Sequence, residues 1–423
     1  MKTILSFSAA LATFVAVAGA SIDNVIVRQQ WPWNPKVNID YVLSDAEQGA
    51  HDVKVQLKNG SDEIVCWAGS LSGDLEGVRP GAHRIVWDPT VGRTSDAPLA
   101  YADFSVVVSI ADDPKKFMVI DLSAGTAQDA SYGVSFAAVP PEGGWVQDLY
   151  KTTRLVLRHI PAGTFTMGSP ETEAPNFRNA VYETQHSVTL TKDFYMAIFP
   201  TTAYQYNLIT GSAPTGNATG KGYVYFVSYN MLRGDNARTN WPNCDGDSFF
   251  GLLNGRVSGL DELPKYRFDL PSSAQWEYAC RANTTTTWYN GTDYDPASEE
   301  DPNSYEPNLS LLGVYKYNFA SYYDGLGKLL PNGWGLYNML GSACECVRDV
   351  IPFANSGVVI SSSPVTGTDC VMYTAGGTTW LRGGYGSAKP YACRPSSWSD
   401  GNYGKSTGNN FQNGFRVCCT YFE

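Results

Sequence analysis

Nine cysteines and four histidines are the side chains of this 423-residue sequence best suited to soft-metal or redox chemistry. Cys344-x-Cys346 and the adjacent Cys418-Cys419 form two close pairs, and four thiolates suffice for a tetrahedral zinc site. Zinc ribbons usually set two residues inside each pair; these pairs have one residue and none. Neighbours on a strand face opposite ways, so Cys418 and Cys419 need not share a partner. The odd count leaves at least one thiol free unless a second chain or a ligand takes it. His51, His83, His159 and His186 sit in separate strand-like segments, without the spacing that puts two imidazoles on one helix face. They read as structural. The sequence has no Gly-x-Ser-x-Gly elbow and no phosphate-cradling glycine loop.

The elements that must position these side chains begin after a leader. Met1-Lys2, the apolar run Ile4 to Val17 and Ala18-Gly19-Ala20 have the form of a secretory signal peptide cut after Ala20. The apolar run is short for a bilayer span, and no later stretch approaches the ~20 apolar residues that spanning requires. A secreted, periplasmic or cell-surface protein with no membrane span after cleavage is therefore expected, and disulfides between the Cys344–Cys346 strand and the C-terminal strand are preferred over zinc. The net charge of −11 and the absence of basic runs exclude a nucleic-acid binder, which needs a basic face to displace counterions. Val25-Ile26-Val27, Val37 to Tyr41, Val53 to Leu57, Ala82 to Trp87 and Phe104 to Val108 alternate with period two or are rich in β-branched residues. Asn59-Gly60 and Pro80-Gly81 supply turns between them. This pattern predicts a β-sandwich over 21–124, followed by a Gly/Ala/Pro-rich linker at 125–151.

From 152 to 423 a series of motifs follows in order. They are Ile160-Pro-Ala-Gly-Thr-Phe-Thr-Met-Gly-Ser169, Glu183-Thr-Gln-His186, Thr201-Thr-Ala-Tyr-Gln-Tyr206, Asp269-Leu-Pro-Ser-Ser-Ala-Gln-Trp-Glu-Tyr-Ala-Cys-Arg-Ala282, Asn332-Gly-Trp-Gly-Leu-Tyr-Asn-Met-Leu-Gly341, Arg382-Gly383-Gly384 and Asn413-Gly-Phe-Arg-Val417. Together they resemble the formylglycine-generating enzymes, or sulfatase-modifying factors. The resemblance implies an α+β chain overall: an all-β sandwich, then a C-type-lectin-like domain with little regular secondary structure and two short helices. Ser272 or Ser273 is suited to cap one helix, with Trp276, Tyr278, Ala279 and Cys280 spaced to bury one side. Gln275, Trp276 and Glu277 read as fold-holding residues.

Those enzymes hold copper(I) between two cysteines five residues apart, shortly after the Arg-Gly-Gly. The matching positions here are Ala388 and Cys393, and the family's cleft serine and tryptophan fall on Tyr385 and Cys344. Copper(I) calls for soft thiolate donors, and Ala388 supplies none. A non-catalytic branch is the expectation, with no catalytic or cofactor-binding residue assigned and copper disfavoured. The tryptophans that many relatives have at 344 and 346 point to a buried strand. The resemblance also implies structural calcium. One site would use Asn338, the carbonyls of Gly341 and Ala343, and Glu345; a second would use Asn318, the carbonyls of Phe319 and Leu326, and Asp324. All eight donate oxygen, as a hard cation requires.

The reading that follows is an exported binding or surface-assembly module. Its partner would be a polar ligand, glycan or peptide, or another copy of the chain. Ser396 to Asn413, rich in Ser, Asn, Gly, Tyr and Trp, is the candidate ligand loop. The alternative is a copper-dependent oxidoreductase acting on a protein substrate.

Overall fold

In Val37–Asp45 every second side chain is buried, with Val37, Ile39, Tyr41 and Leu43 inside and their neighbours partly exposed. Val53–Asn59 and Phe104–Ile110 show the same alternation, and it decides the architecture: each strand has one apolar face that must be covered. In the computed structural model Ala20–Gln29, Val37–Asp45, Gly81–Trp87 and Leu71–Gly73 form one antiparallel sheet in that order. Asp62–Ile64, Val53–Asn59 and Phe104–Ile110 form a second. Their inner faces share one core that includes Trp87 stacked on Phe104. Asn59-Gly60 makes the expected turn, with Gly60 at φ +63°. The sandwich is therefore as read. The structure describes residues 4–5, 19–30, 34–91, 100–127, 129–179, 182–212, 214, 220–234, 241–258, 265–295, 297, 305–322, 325–351, 367–372, 378–400 and 413–421.

The chain divides at Pro114, not at 124, and 125–151 is no linker. Phe117–Asp121 pairs with Arg154–Ile160, and Tyr132–Ala137 pairs with Phe117–Asp121, inside a sheet of the second unit. The cause is apolar burial: Met118, Ile120, Leu122 and Tyr132 are fully enclosed in that unit's core. Trp145 packs against Phe117 and Tyr150 and fixes the segment between.

The second unit, 115–423, is α+β. Its seven-stranded sheet runs Val257–Ser258, Tyr132–Ala137, Phe117–Asp121, Arg154–Ile160, Phe194–Ala197, Cys418–Tyr421 and Tyr266–Asp269. Two smaller sheets accompany it. One joins Gly163–Met167, His186–Leu190 and Gly367–Thr368; the other joins Ser399–Asp400, Thr378–Arg382, Cys344–Ile351 and Asn413–Gly414. The described residues hold more helices than the two expected, all short. Helix α1 (Ala203–Thr210) starts on a capping box in which Thr202 and Gln205 satisfy each other's backbone N–H groups. Helices α2 (Tyr229–Arg233) and α3 (Phe249–Arg256) are capped by Ser228 and Ser248. Helix α4 (Ser273–Arg281) has the second capping box, Ser272 with Gln275.

Helix α4 departs from the one-sided burial expected of it: all nine of its residues are buried. Its polar face is enclosed by charge pairing. Glu277 accepts hydrogen bonds from Arg281 at 2.9 Å, Arg382 at 2.8 Å and the Gly168 amide at 2.8 Å. Trp276 donates its indole N–H to Glu345 at 2.6 Å. Gln275, Trp276 and Glu277 hold the fold, each by a different bond. Among the described residues no helix is long and apolar enough to cross a membrane.

Candidate functional site

The Arg-Gly-Gly segment ends the strand Thr378–Arg382, which pairs antiparallel with Cys344–Ile351 so that Glu345 faces Arg382 and Cys346 faces Leu381. Arg382 is buried, bonded to Glu277 and to the carbonyls of Pro395 and Ser396. Gly383 and Gly384 then turn the chain at φ +84° and +70°. A side chain at Gly384 would lie 2.8 Å from the Cys393 sulfur, so the turn requires glycine there. Cys393 sits at the end of a short 3₁₀ turn, Pro390–Cys393, and is wholly buried. The backbone N–H of Tyr385 favours the charged form of the Cys393 thiol, a pull that burial outweighs.

Ala388 is buried as well; its N–H donates to the Tyr385 carbonyl and its own carbonyl accepts from Lys316. At the position of the first copper cysteine there is thus only a methyl group. Cys344 comes close enough to Cys393 for a charge on one to disfavour a charge on the other. Burial pushes the Cys393 thiol up to about 12, and burial, with Cys393 adding to it, raises Cys344 well above its ordinary range. Both are neutral thiols in the metal-free protein; a bound metal would displace such protons, so the decisive loss is the second sulfur at Ala388.

A family model for the sulfatase-modifying factor enzyme 1-like domain matches residues 151–420, more than half of the chain. The chain belongs to this family. Among solved structures it is similar to PvdO from Pseudomonas aeruginosa (20% identity, TM-score 0.46, covering 65% of this chain and 97% of that one). It is also similar to Treponema denticola variable protein 1 (18%, 0.44, 63% and 95%) and to CarF (13%, 0.35, 63% and 97%). No curated protein sequence matches.

All eight cysteines of this sulfatase-modifying factor domain, and Cys66 of the sandwich, are free thiols, which corrects the disulfides expected between the two cysteine-bearing strands. The strands lie in different sheets: Cys344 pairs with Asn413, while Cys418 faces Asp269 and Met196. Cys418 and Cys419 do point to opposite faces, and both faces are buried. Cys280, Cys344, Cys346, Cys393, Cys418 and Cys419 are buried; Cys66, Cys244 and Cys370 are half-buried, with burial raising their thiols to about 11, 12 and 11. Alkylation of the native protein at mildly alkaline pH should therefore label only the last three, and slowly, while unfolding exposes all nine. Peptide mapping by mass spectrometry checks this; rapid native labelling of Cys393 would contradict it.

Among the described residues no three His, Cys, Asp or Glu side chains group to hold a metal, so the calcium candidates depend on amide and carbonyl oxygens. The Asn338 side-chain oxygen accepts from the Gly327 amide, and its Nδ2 donates to Ser342. Asn338, Gly341 and Ser342 all take left-handed backbone angles, which curl Asn338–Ala343 into a tight, carbonyl-lined loop. Glu345 is held by Arg416 through both oxygens, at 2.7 Å each, and by Trp276. The first set therefore fits a hard cation in donor type, but its one carboxylate is already neutralised by Arg416. Of the second set only part is described. Asn318 spends its oxygen on the Tyr315 amide and its Nδ2 on the Gly313 carbonyl, Phe319 opens the short helix Phe319–Tyr322, and Asp324 lies outside the described residues.

The histidines lie apart, as read. His51 bonds to Asp112 at 2.6 Å and Asp45 at 3.2 Å; burial opposes its charge, but the two carboxylates outweigh it and raise its pKa. His83 faces Asp74, and His159 faces Asp193. His186 bonds the Thr184 carbonyl. Of the candidate ligand loop, Ser396 is buried against Glu173 and Glu183, and the Trp398 ring packs on the Arg382 guanidinium. The loop's start is thus structural, and 401–412 lie outside the described residues.

The sequence reading missed one centre. Arg394, directly after Cys393, bonds Glu173 and Glu183 at 2.8 Å each, all three buried. The only signal for it was the Cys393-Arg394 pair itself, together with Glu183 inside a motif.

Proposed function

We propose that this protein is an exported, non-catalytic member of the sulfatase-modifying factor family that serves as a ligand-binding or surface-assembly module. The observation that carries this is the pair of copper positions: a buried methyl group at Ala388 leaves the buried Cys393 without the second sulfur donor that a cuprous site requires. The retained motifs hold the fold through Trp276, Glu277, Arg382 and Arg416. Export is supported by the leader-like start of the sequence. The competing reading, a copper-dependent oxidoreductase, draws on the approach of Cys344 to Cys393, yet Cys344 stands at the family's tryptophan position and not at the missing copper cysteine. The test is oxygen consumption and aldehyde formation with copper-supplied protein and cysteine-containing peptides. Neither should exceed the rate of copper and peptide alone; turnover that depends on Cys393 would sink the proposal.

Calcium enters this reading as a structural ion at Asn338, Gly341, Ala343 and Glu345. With Glu345 already paired to Arg416, affinity should be in the weak class, on the order of 10⁻⁴–10⁻³ M. Calcium at ten times its Kd then adds about 1.4 kcal/mol, a rise in Tm of roughly 3–6 °C that a chelator reverses and Asn338→Ala abolishes. Differential scanning calorimetry decides it, and a Tm indifferent to calcium would remove the ion from the account.

A further inference from the structure

Arg348, half-buried, differs from several buried arginines of the second unit. Arg233, Arg281, Arg382, Arg394 and Arg416 each meet a carboxylate. Arg348, on the strand Cys344–Ile351, keeps its Nε and one terminal nitrogen, Nη1, buried without an acceptor. Its neighbours are committed elsewhere. Asp349 accepts from the amides of Ser273 and Met372. Asp369 accepts from the amide and hydroxyl of Thr191. Buried donors of a fixed cation left unpaired are unfavourable, which marks Arg348 as a cation the protein itself does not satisfy.

Arg348 lines a half-open cleft of about 400 Å³, within the size range of small-ligand sites. The Arg348 guanidinium lies 4.5 Å from the centre of the Trp241 ring, which holds the cation in place. Lys192 stands on the rim, exposed. Ser272 and Thr420 also line the cleft; each hydroxyl oxygen accepts from Gln275, and the Thr420 hydroxyl also contacts the Cys418 sulfur at 3.9 Å. Gln275 itself has both amide ends engaged. The cleft therefore offers two cations and two hydroxyl groups against one carboxylate, Asp369, whose oxygens accept from Thr191. In a chain of net charge −11 this is a local inversion of sign.

We propose that this cleft binds an oxyanion-bearing sugar unit, its acid group on Arg348 and Lys192, its hydroxyl oxygens on Ser272 and Thr420, and its ring against Trp241. A donor-rich cleft selects an acceptor-rich ligand, an aromatic wall suits a sugar ring, and the volume admits about one such unit. The inference gives the proposed ligand-binding reading a location, and its failure would leave the copper argument untouched.

The test is isothermal titration of the full chain with glucuronate, glucose 6-sulfate, glucose 6-phosphate and glucose. At least one acidic sugar should bind while glucose does not, and the three acidic arms identify the acid group. Arg348→Gln should weaken that binding by about tenfold or more. Lys192→Ala, on the exposed rim, should weaken it several-fold and flatten its salt dependence. Calorimetric unfolding of each variant separates lost binding from lost fold, and Arg348→Lys, which keeps the charge, should recover part of the affinity. Equal binding of glucose and the acidic sugars, no binding of any acidic sugar, or an affinity unchanged in both Arg348→Gln and Lys192→Ala would overturn the proposal.

Discussion

Glu277→Gln is expected to destabilise the second unit by about 3–5 kcal/mol, because it leaves two buried guanidiniums, Arg281 and Arg382, without their shared carboxylate. The amide keeps the shape of the side chain and can still accept from Gly168, so the loss isolates charge from packing. A fall in Tm on the order of 10 °C should accompany it. The pH dependence has a defined sign. Burial opposes the charge on Glu277, but Arg281 and Arg382 outweigh it and hold its pKa below the ordinary carboxylate value. The stability it contributes is therefore fully present above the unfolded value of about 4.3 and lost as pH falls through the folded one. The variant should lack that acid-dependent component. Denaturant unfolding of both proteins from neutral pH into the acid range measures it, and parallel stability curves would refute the role given to Glu277.

Arg394→Met should be comparably severe, by about 3–5 kcal/mol, for the opposite reason. It strands two carboxylates, Glu173 and Glu183, in a site where Ser396 and, for Glu183, Ser169 and the Asn179 amide are the other hydrogen-bond donors beside Arg394 and the Thr287 hydroxyl on Glu173. The stranded pair should take up a proton, so the variant should recover part of its stability on mild acidification. The triple replacement Arg394→Met with Glu173→Gln and Glu183→Gln should be far less damaging than the single one, since removing every charge costs less than breaking a pair. Chemical unfolding of the single and triple variants decides this. Equal losses would show that Arg394 acts through packing alone.

Strong local signals were legible in the sequence. The period-two runs at Val37–Tyr41, Val53–Leu57 and Phe104–Val108 gave the sandwich, and Ser272 or Ser273 marked one helix start, which the structure puts on Ser272. The boundary was not legible, because Met118 and Ile120 alternate just as the sandwich strands do; only which core receives them tells the units apart. Burial of the polar face of α4 was hidden too. Glu277 meets Arg382, 105 positions away, and Gly168, 109 away, and local periodicity carries nothing about either. The cleft around Arg348 draws on residues from Lys192 to Tyr421, so no stretch of sequence announced it. Cysteine spacing misled for a related reason: strands that look adjacent in composition lie in different sheets.

The copper positions remain the point on which the functional account stands. The most direct measurement is an anaerobic competition titration of copper(I) between the purified protein and a cuprous chelator, with Ala388→Cys alongside. The wild-type chain should leave the metal with the chelator, because one methyl group and one buried thiol offer no pair of sulfur donors. Stoichiometric capture of copper(I) by the wild-type chain, lost on Cys393→Ser, would contradict the account.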